Sequence, residues 1–278
     1  MKNNNKKLSG KEGFEIYYDG LFGKRWNDLR NSLLEPVRQY EYTGGLLKPY
    51  FLDCGSVAAG FSLPGFPEEE EEKGGLILDM CAAPGGKSLV LSRMLINDNF
   101  KMIANEKSGE RKARLCRVLD EHLPSHVRNR ITVTGKDAAL WCRNERNAFD
   151  RILIDAPCSS ERHVISSPYH LSLWTPARIR NLTYTQWSIL SSGYLALKPG
   201  GYLLYSTCAL AADENDGVVG RLLKKYSEAR LCTSRIPSSV FNLLGVVEEK
   251  TKYGVQILPD KSSGAGPLFY SLITKPEN

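Results

Sequence analysis

The sequence predicts an α/β fold built on a doubly wound, mostly parallel sheet with helices on both faces. The first observation is a strand–turn–helix unit: an apolar run over residues 76–78 ends at Asp79, small residues and glycines follow, and residues 88–95 are apolar at helical spacing. Such a unit typically opens a doubly wound sheet. The second is that short apolar runs then alternate with amphipathic stretches along the chain, which favours parallel strands joined by helical crossovers.

The predicted strands cover residues 76–78, 100–105, 129–134, 152–154 and 202–207, and a terminal antiparallel pair covers 255–258 and 268–273. Helices are expected over residues 108–122 and 176–197, and from a cap at residues 213–216 to residue 226. We expect a long polar loop at residues 159–175, of a length that is more often functional than not, and a turn at residues 198–201. Residues 226–250 give no clear pattern.

Three regions are expected along the 278 residues. Residues 1–12 are polar and are predicted to be a disordered tail. Residues 13–67 form a small helical N-terminal extension and lead-in: aromatic residues recur at helical spacing up to Tyr42, mostly as core, and Cys54 is expected to be a small core residue. Residues 68–278 form the sheet domain, in which the run of five glutamates at 68–72 is interpreted as a solvated loop.

Composition limits the classes of function. The net charge of +6 favours an anionic partner. The seven cysteines include no Cys-x-x-Cys pair, so neither a metal site nor a disulfide framework is expected, and free thiols in a reducing compartment are favoured. No apolar run is long enough to cross a membrane, and the N-terminus does not resemble a secretory signal.

The turn after the first strand is predicted to bind a ligand. Glycines allow a ligand to approach the backbone closely, and the helix N-terminus behind them favours negative charge. A Walker A loop would need glycine at position 81, which is Cys81, so an ATP loop is not expected; G-x-G-x-x-G is also absent. The residues assigned to this ligand loop are Cys81, Ala82, Ala83, Pro84, Gly85, Gly86 and Lys87.

Two acidic residues extend the predicted site. Glu106 follows the second strand about 20 residues after the glycine turn, where a carboxylate holds a nucleotide ribose in such folds; the alternative is a surface glutamate. Asp137 follows the third strand, where it would contact an adenine or cap a loop.

Two cysteines are expected at the same sheet edge. Asp155 and Cys158 follow the fourth strand, and Cys208 follows the fifth. Because the carboxyl ends of parallel strands meet at one edge, both thiols are predicted to stand beside the ligand loop. Two thiols with an aspartate are better explained by chemistry than by packing.

Together these motifs resemble the Fmu/NSUN family of RNA cytosine-C5 methyltransferases, over about residues 14–275. The resemblance rests on residues 79–87 (DMCAAPGGK), 155–159 (DAPCS), 198–201 (KPGG) and 205–208 (YSTC), on Asn105-Glu106 with Arg111, on Glu214-Asn215, and on the lead-in at 44–50. Departures are mild: Glu106 stands where Asp is usual, and Ala209 where Ser often follows. The length leaves no room for a PUA module, and residues 158–163 resemble the short members similar to mitochondrial ribosomal-RNA enzymes.

The resemblance implies a Rossmann-like class I methyltransferase sheet that uses S-adenosyl-L-methionine. It assigns Cys208 as the nucleophile and Cys158 as the thiol that assists product release, although DNA cytosine-C5 enzymes use the Pro-Cys thiol. Asp155 would bond the cytosine near N3, and Lys87 would lie near cofactor and base. Glu106 would hold the ribose, Asp137 the adenine side, and Gly85-Gly86 the methionine portion, while Arg111 is a candidate for either cofactor or phosphate.

The implied partner is RNA, with ribosomal RNA favoured, and with the cytosine single-stranded or flipped out of its stack. Residues 111–117 and the loop with Arg162 and His163 are candidate phosphate contacts. A monomer is expected, in the cytoplasm or alternatively the mitochondrial matrix, and a helper protein is possible. Two other functions stay open: an RNA-binding ribosome-assembly factor, and a DNA cytosine-C5 methyltransferase that uses Cys158.

Overall fold

The computed structural model describes residues 8–70, 72–233 and 236–277. The helices and strands, in chain order, are α1 Gly10–Phe22, α2 Trp26–Leu34, β1 Gln39–Tyr42, β2 Tyr50–Asp53, α3 Cys54–Ser62, β3 Gly75–Asp79, α4 Gly86–Leu91, β4 Phe100–Asn105, α5 Gly109–His122, α6 Ser125–Arg128, β5 Ile131–Thr134, β6 Phe149–Asp155, α7 Glu161–Ser166, α8 Pro168–Ser172, α9 Pro176–Ala196, β7 Leu197–Thr207, α10 Asp216–Lys225, β8 Arg230–Cys232, α11 Ser238–Leu244, β9 Glu248–Lys250, β10 Val255–Ile257 and β11 Leu268–Thr274.

The main sheet has the strand order β5-β4-β3-β6-β7-β11-β10-β9, and β8 pairs with β11. Strands β3 to β7 pair in parallel, and β11 joins β7 in the antiparallel sense. The chain order reverses at β3, which lies between β4 and β6, so the switch point of the sheet is at the end of β3. The prediction of a doubly wound sheet with a terminal antiparallel strand is confirmed.

Both faces of the sheet are covered, as a parallel sheet requires. Ile77 of β3 lies in the core on one face and Leu78 in the core on the other. A third cluster joins the N-terminal helices to the region after β6, where Phe14, Tyr18 and Trp174 are buried together. The prediction that the N-terminal aromatic residues are mainly core is confirmed for Phe14 and Tyr18, and Cys54 is buried as expected.

The N-terminal boundaries differ from the predictions. Helix α1 begins at Gly10, so residues 10–12 are helical; residues 1–7 of the predicted tail lie outside the described residues. Residues 39–42 are a strand and not a helix, because tyrosines alternate with polar residues there and pair antiparallel with β2. The glutamate run begins with a 3₁₀ turn at Glu68–Glu70.

The segment after β6 also differs. Residues 159–175 are not one loop but contain α7 and α8, whose Val164, Ile165 and Leu171 are buried at helical spacing against the N-terminal core. Residues 198–201 belong to β7, which begins at Leu197 and has an irregular register opposite Phe149 and Arg151.

The predicted cap before α10 is not formed by a side chain. The helix begins at Asp216, and the Asp216 carboxylate instead accepts hydrogen bonds from Thr251 Oγ1 and Tyr253 N. Residues 226–250 hold β8, α11 and β9, apart from the two positions that are not described. Among the described helices, none combines the length and apolarity needed to cross a membrane.

Candidate active site

The carboxyl ends of β3, β6 and β7 open into a cavity of about 1070 Å³. Its position at the switch point of the sheet is where ligands bind in such folds. The predicted site residues that line it are Cys81, Ala83, Pro84, Lys87, Glu106, Arg111, Asp137, Asp155, Cys158 and Cys208.

The two predicted thiols meet in this cavity. The Sγ atoms of Cys158 and Cys208 are 2.8 Å apart, although 50 residues separate them in sequence, and both cysteines are free. The hydrogen bond with Cys208, together with burial, raises the pKa of the Cys158 thiol well above its ordinary value. Cys158 therefore holds its proton more firmly than an ordinary cysteine does.

A hydroxyl that the sequence analysis did not single out lies beside both sulfurs. Ser160 Oγ is 3.3 Å from Cys208 Sγ and 3.5 Å from Cys158 Sγ. Ser160 adopts a left-handed conformation, with φ 54°, which is uncommon for a residue other than glycine. Non-glycine residues with this backbone conformation cluster at functional sites. The positive φ therefore marks Ser160 as a site residue, but a backbone angle is not visible in the sequence.

A charged pair forms the adjacent wall. Lys87 Nζ donates to Asp155 Oδ2 at 2.7 Å, and Ser206 Oγ donates to Asp155 Oδ1 at 3.1 Å. Burial alone would lower the pKa of Lys87, but the charge and hydrogen bond of Asp155 outweigh it and raise that pKa. Lys87 therefore remains a cation beside the two cysteines.

Asp79 lies behind this pair and is fully buried. Ser88 Oγ donates to its Oδ2 at 2.6 Å, while none of the residues that the structure describes donates a hydrogen bond to Oδ1. Burial, with a further contribution from the charge of Asp155, raises the pKa of Asp79 to about 7. A buried carboxylate oxygen without a donor is suited to a ligand that carries N–H or O–H groups.

Glu106 and Asp137 lie at the carboxyl ends of the neighbouring strands. Glu106 is 5% exposed; it accepts from Ser108 N at 2.9 Å and pairs with Arg111 at 3.2 Å. Arg111 also donates to Ala83 O, so it joins the ligand loop to α5. Asp137 caps the following turn by accepting from Ala139 N, and Lys107 lowers its pKa.

The remaining residues of the predicted ligand loop have two different roles, since some line a cavity and one allows two helices to pack closely. Ala82 and Gly86 line a smaller adjoining cavity of about 220 Å³. Gly85 lines neither cavity: it has φ 120°, and a Cβ there would lie 3.0 Å from Val118 Cγ1, so this glycine allows α4 and α5 to approach closely.

The arrangement fits a nucleoside-type cofactor. Asp79, whose Oδ1 has no partner among the described residues, ends β3 beside the smaller adjoining cavity. The nearly buried carboxylate of Glu106 follows β4 and lines the main cavity, at the position where such folds hold a ribose. Met80, Ala138 and Ile189 add apolar surface to the same cavity, which exceeds the size of most small-molecule sites.

The N-terminal extension supplies part of the cavity wall, which the sequence did not indicate. Leu33, Pro36 and Val37 line the cavity together with the two cysteines and Pro267. Arg162 fastens this wall, since it donates to the carbonyl oxygens of Glu35 and Gly264 at 3.0 Å each. Both terminal nitrogens of Arg162 are thus engaged by the protein, while its buried Nε has no hydrogen-bond partner among the described residues. Contact between Arg162 and phosphate stays a prediction.

The fold and cavity define an α/β protein with a nucleotide-type cofactor cleft and two thiols at that cleft. The chain belongs to the RsmB/F family of 16S rRNA methyltransferases, whose family model matches residues 66–274.

Individual relatives agree with this assignment. The chain is 30% identical over 249 residues to the 5-cytosine rRNA methyltransferase NSUN4 of Xenopus tropicalis, covering 84% of this chain and 58% of the frog protein. It is 29% identical over 248 residues to the mitochondrial tRNA (cytosine(34)-C(5))-methyltransferase of Danio rerio, covering 87% and 65%. The chain thus spans less than two thirds of the length of either relative.

A solved methyltransferase homologue from Pyrococcus horikoshii has the same fold. It superposes with a TM-score of 0.69 at 20% identity and covers 96% of each chain.

Proposed function

We propose that this chain transfers a methyl group from S-adenosyl-L-methionine to carbon 5 of cytosine in RNA. The observation that carries the proposal is the pair of sulfurs 2.8 Å apart, one after each of two adjacent parallel strands, in a cavity that also presents Glu106 and Lys87. Family membership supports methyl transfer to RNA.

Cytosine carbon 5 is a poor nucleophile, which explains the need for a thiol. A thiolate that adds to carbon 6 gives carbon 5 enamine character, so that it can attack an electrophilic methyl group. S-adenosyl-L-methionine, when bound, supplies that methyl group as a sulfonium. A base then removes the proton from carbon 5, and the carbon–sulfur bond breaks to release the thiolate.

We assign Cys208 as the attacking thiolate and Cys158 as the group that assists release. The raised pKa of Cys158 supports this division, because a neutral thiol next to a thiolate donates a hydrogen bond to it. The charge of Cys208 is one of the causes that raise the pKa of Lys87. Because this interaction is mutual, the ammonium of Lys87 favours a negative charge on Cys208.

We assign Asp155 to hydrogen-bond the cytosine ring of the substrate. Each of its oxygens already accepts one hydrogen bond, from Lys87 and from Ser206, which fixes the carboxylate while leaving lone pairs for the ring. A fixed carboxylate near cytosine N3 would stabilise the adduct when the ring gains a proton there. Glu106 would hold the cofactor ribose, and Arg111 and Asp137 would shape that end of the site.

The substrate must bring an extrahelical cytosine into the cavity, which favours loops and single-stranded RNA. The names of the relatives include both rRNA and tRNA enzymes, and the name of the zebrafish protein places it in mitochondria. These names favour rRNA or tRNA as substrate and the organelle over the cytoplasm. A monomer, with or without a helper protein, remains our prediction.

The test uses purified protein, labelled S-adenosyl-L-methionine, and total RNA or DNA, with nucleosides identified after digestion. We expect label in 5-methylcytidine from RNA, no product with Cys208→Ala, and a trapped protein–RNA adduct with Cys158→Ala. Cys232→Ala, a cysteine on β8, is the matched control and should behave as the wild type.

Label in DNA that requires Cys158 would overturn the assignment in favour of a DNA enzyme. Absence of label on either polymer with cofactor binding intact, and a Cys208→Ala protein that still supports ribosome assembly, would favour the assembly-factor function.

A further inference from the structure

A cluster of polar side chains lies directly behind the two cysteines and has no part in the reaction proposed above. Its centre is two glutamates, Glu161 and Glu214, both with 0% exposure. Glu161 comes three residues after Cys158, and Glu214 six residues after Cys208. Buried carboxylates are costly, so each needs a physical reason to be there.

Each glutamate bonds to the loop of the other cysteine. Glu161, on the Cys158 side, accepts a hydrogen bond from Leu210 N at 3.0 Å, two residues after Cys208. Glu214, on the Cys208 side, accepts one from Ser159 N at 3.0 Å, next to Cys158. The two loops are therefore tied by reciprocal crossed bonds, which set the separation of the sulfurs.

The remaining donors fasten this clamp to the rest of the fold. Glu161 Oε1 accepts from Tyr18 OH at 2.5 Å and from Ser159 Oγ, which links the clamp to helix α1. Glu214 Oε2 accepts from Gln186 Nε2 of α9 at 2.7 Å, and the Glu214 carbonyl accepts from Tyr205 OH.

When both glutamates are ionised, this network lacks one hydrogen-bond donor. Within the described part of the chain, two buried oxygens lack a hydrogen-bond partner, Glu214 Oε1 and Gln186 Oε1, and they belong to side chains that already share a hydrogen bond. A proton on Glu214 Oε1 would give the one donor that satisfies both oxygens, as in a paired acid and amide. Buried polar atoms are almost always satisfied, so the neutral acid is the form that fits.

The charges around Glu214 also favour its neutral, protonated form. The ionisable groups that face the clamp are Tyr18 and Tyr17 of α1, Tyr205 of β7, Asp213 and Cys158, and each is neutral or negative at neutral pH. Burial raises the pKa of Glu214 to about 7, and the neighbouring Glu161 adds to this effect. A second negative charge would therefore be poorly tolerated.

We propose that Glu214 is a positioning residue that holds a proton in the working enzyme, and that with Glu161 it clamps the two cysteine loops at the separation that methyl transfer needs. Loss of this proton places two like charges in a buried site, and their repulsion pushes the two loops, and with them the thiols, apart. The proposal rests on the proposed function, because thiol spacing matters only if both thiols act.

The test compares the pH dependence of kcat for RNA methylation, at saturating cofactor, in the wild type and Glu214→Gln. The glutamine amide reproduces the neutral acid, since it donates to Gln186 Oε1 and still accepts from Ser159 N. We expect wild-type kcat to fall about tenfold relative to Glu214→Gln above pH 7 to 8, because displacements near 1 Å cost up to about a hundredfold. Glu214→Gln should keep the neutral rate and lack the alkaline fall.

The KM for RNA should be the same in both proteins at pH 7, whereas Glu214→Ala should lower kcat at every pH. Glu110→Gln, at an exposed glutamate of α5, is the control and should retain the wild-type profile. An alkaline fall of equal size in Glu214→Gln, or loss of its activity at all pH values, would overturn the proposal.

A second readout separates this inference from the proposed function. Alkylation of Cys158 and Cys208 by iodoacetamide, followed by mass spectrometry, needs no RNA. Exposure of the thiols should rise more steeply with pH in the wild type than in Glu214→Gln; identical curves would contradict the clamp, whether or not any RNA is methylated.

Discussion

Lys87 Nζ donates a 2.7 Å hydrogen bond to Asp155 Oδ2, and this contact joins the turn after β3 to the end of β6 across the switch point of the sheet. The bond couples the predicted cofactor loop to the residue predicted to hold the cytosine. Strands β3 and β6 are hydrogen-bonded neighbours, so a small shift of β3 would also displace Asp155 at the end of β6.

The first prediction concerns Asp155. Asp155→Asn keeps the shape of the side chain but loses the charge that pairs with Lys87 and would stabilise a protonated ring. We expect kcat to fall by roughly 10² to 10⁴, the range typical of proton-transfer groups. Single-turnover methylation measures this, with exposed Asp19→Asn as the control. An Asp155→Asn enzyme within fivefold of the wild type would remove Asp155 from the chemistry.

The second prediction concerns the hydroxyl beside the sulfurs. Ser160→Gly removes Oγ, which lies 3.3 Å from Cys208 Sγ, while glycine suits the left-handed backbone there. A hydrogen bond to a charged group contributes about 1.5 to 3 kcal/mol, so we expect kcat to fall roughly 10- to 100-fold with no loss of thermal stability. Ser166→Ala, an exposed serine of α7, serves as the control. An unchanged kcat in Ser160→Gly would show that the thiolate does not use this hydroxyl.

The third prediction concerns cofactor affinity. If the Glu106 carboxylate accepts hydrogen bonds from the ribose hydroxyls, Glu106→Gln should weaken binding of S-adenosyl-L-methionine about 10- to 100-fold, by loss of charge-assisted bonds. Isothermal titration calorimetry measures the dissociation constant directly. Glu110→Gln, at an exposed position four residues later on α5, should bind as the wild type does. Equal affinity in the two variants would place the ribose elsewhere.

The fourth prediction concerns stability and pH. Burial raises the pKa of Asp79 from its ordinary value of 3.8 to about 7, so the folded state holds this proton more tightly than the unfolded state. The stability it contributes is complete below pH 4 and is lost as the pH rises towards 7. Asp79→Asn cannot lose the proton, so the stability of the wild type relative to Asp79→Asn should decline over this interval.

One pKa unit corresponds to about 1.4 kcal/mol, so the decline should be a few kcal/mol and at most about 4. Urea denaturation at pH 4.5, 6 and 7.5 measures the difference between the two proteins. A difference that stays constant with pH would mean that Asp79 is ionised throughout this range.

Much of the fold was predictable because its signals are local. The boundaries of β4 at Phe100–Asn105 agree with the prediction, since an apolar run between polar turns needs no distant partner to be recognised. Asp79, Asp155 and Cys208 were placed at one edge for a similar reason: each follows an apolar run, and parallel strands end at the same side of a sheet. The helices α7 and α8 were missed, because short helices in a polar segment are stabilised by packing on distant residues such as Phe14 and Trp174.

The sequence by itself determined the α/β fold class and the sheet edge at which the candidate site residues meet. Only the tertiary structure decided their separation and their surroundings. The 2.8 Å between Cys158 and Cys208, and the crossed bonds of Glu161 and Glu214 behind them, depend on contacts between residues about 50 positions apart. The periodicity of apolar residues shows which face of a single segment is buried, but not which other segment lies against it. The pairing of two loops is set by the packing of the whole domain around them.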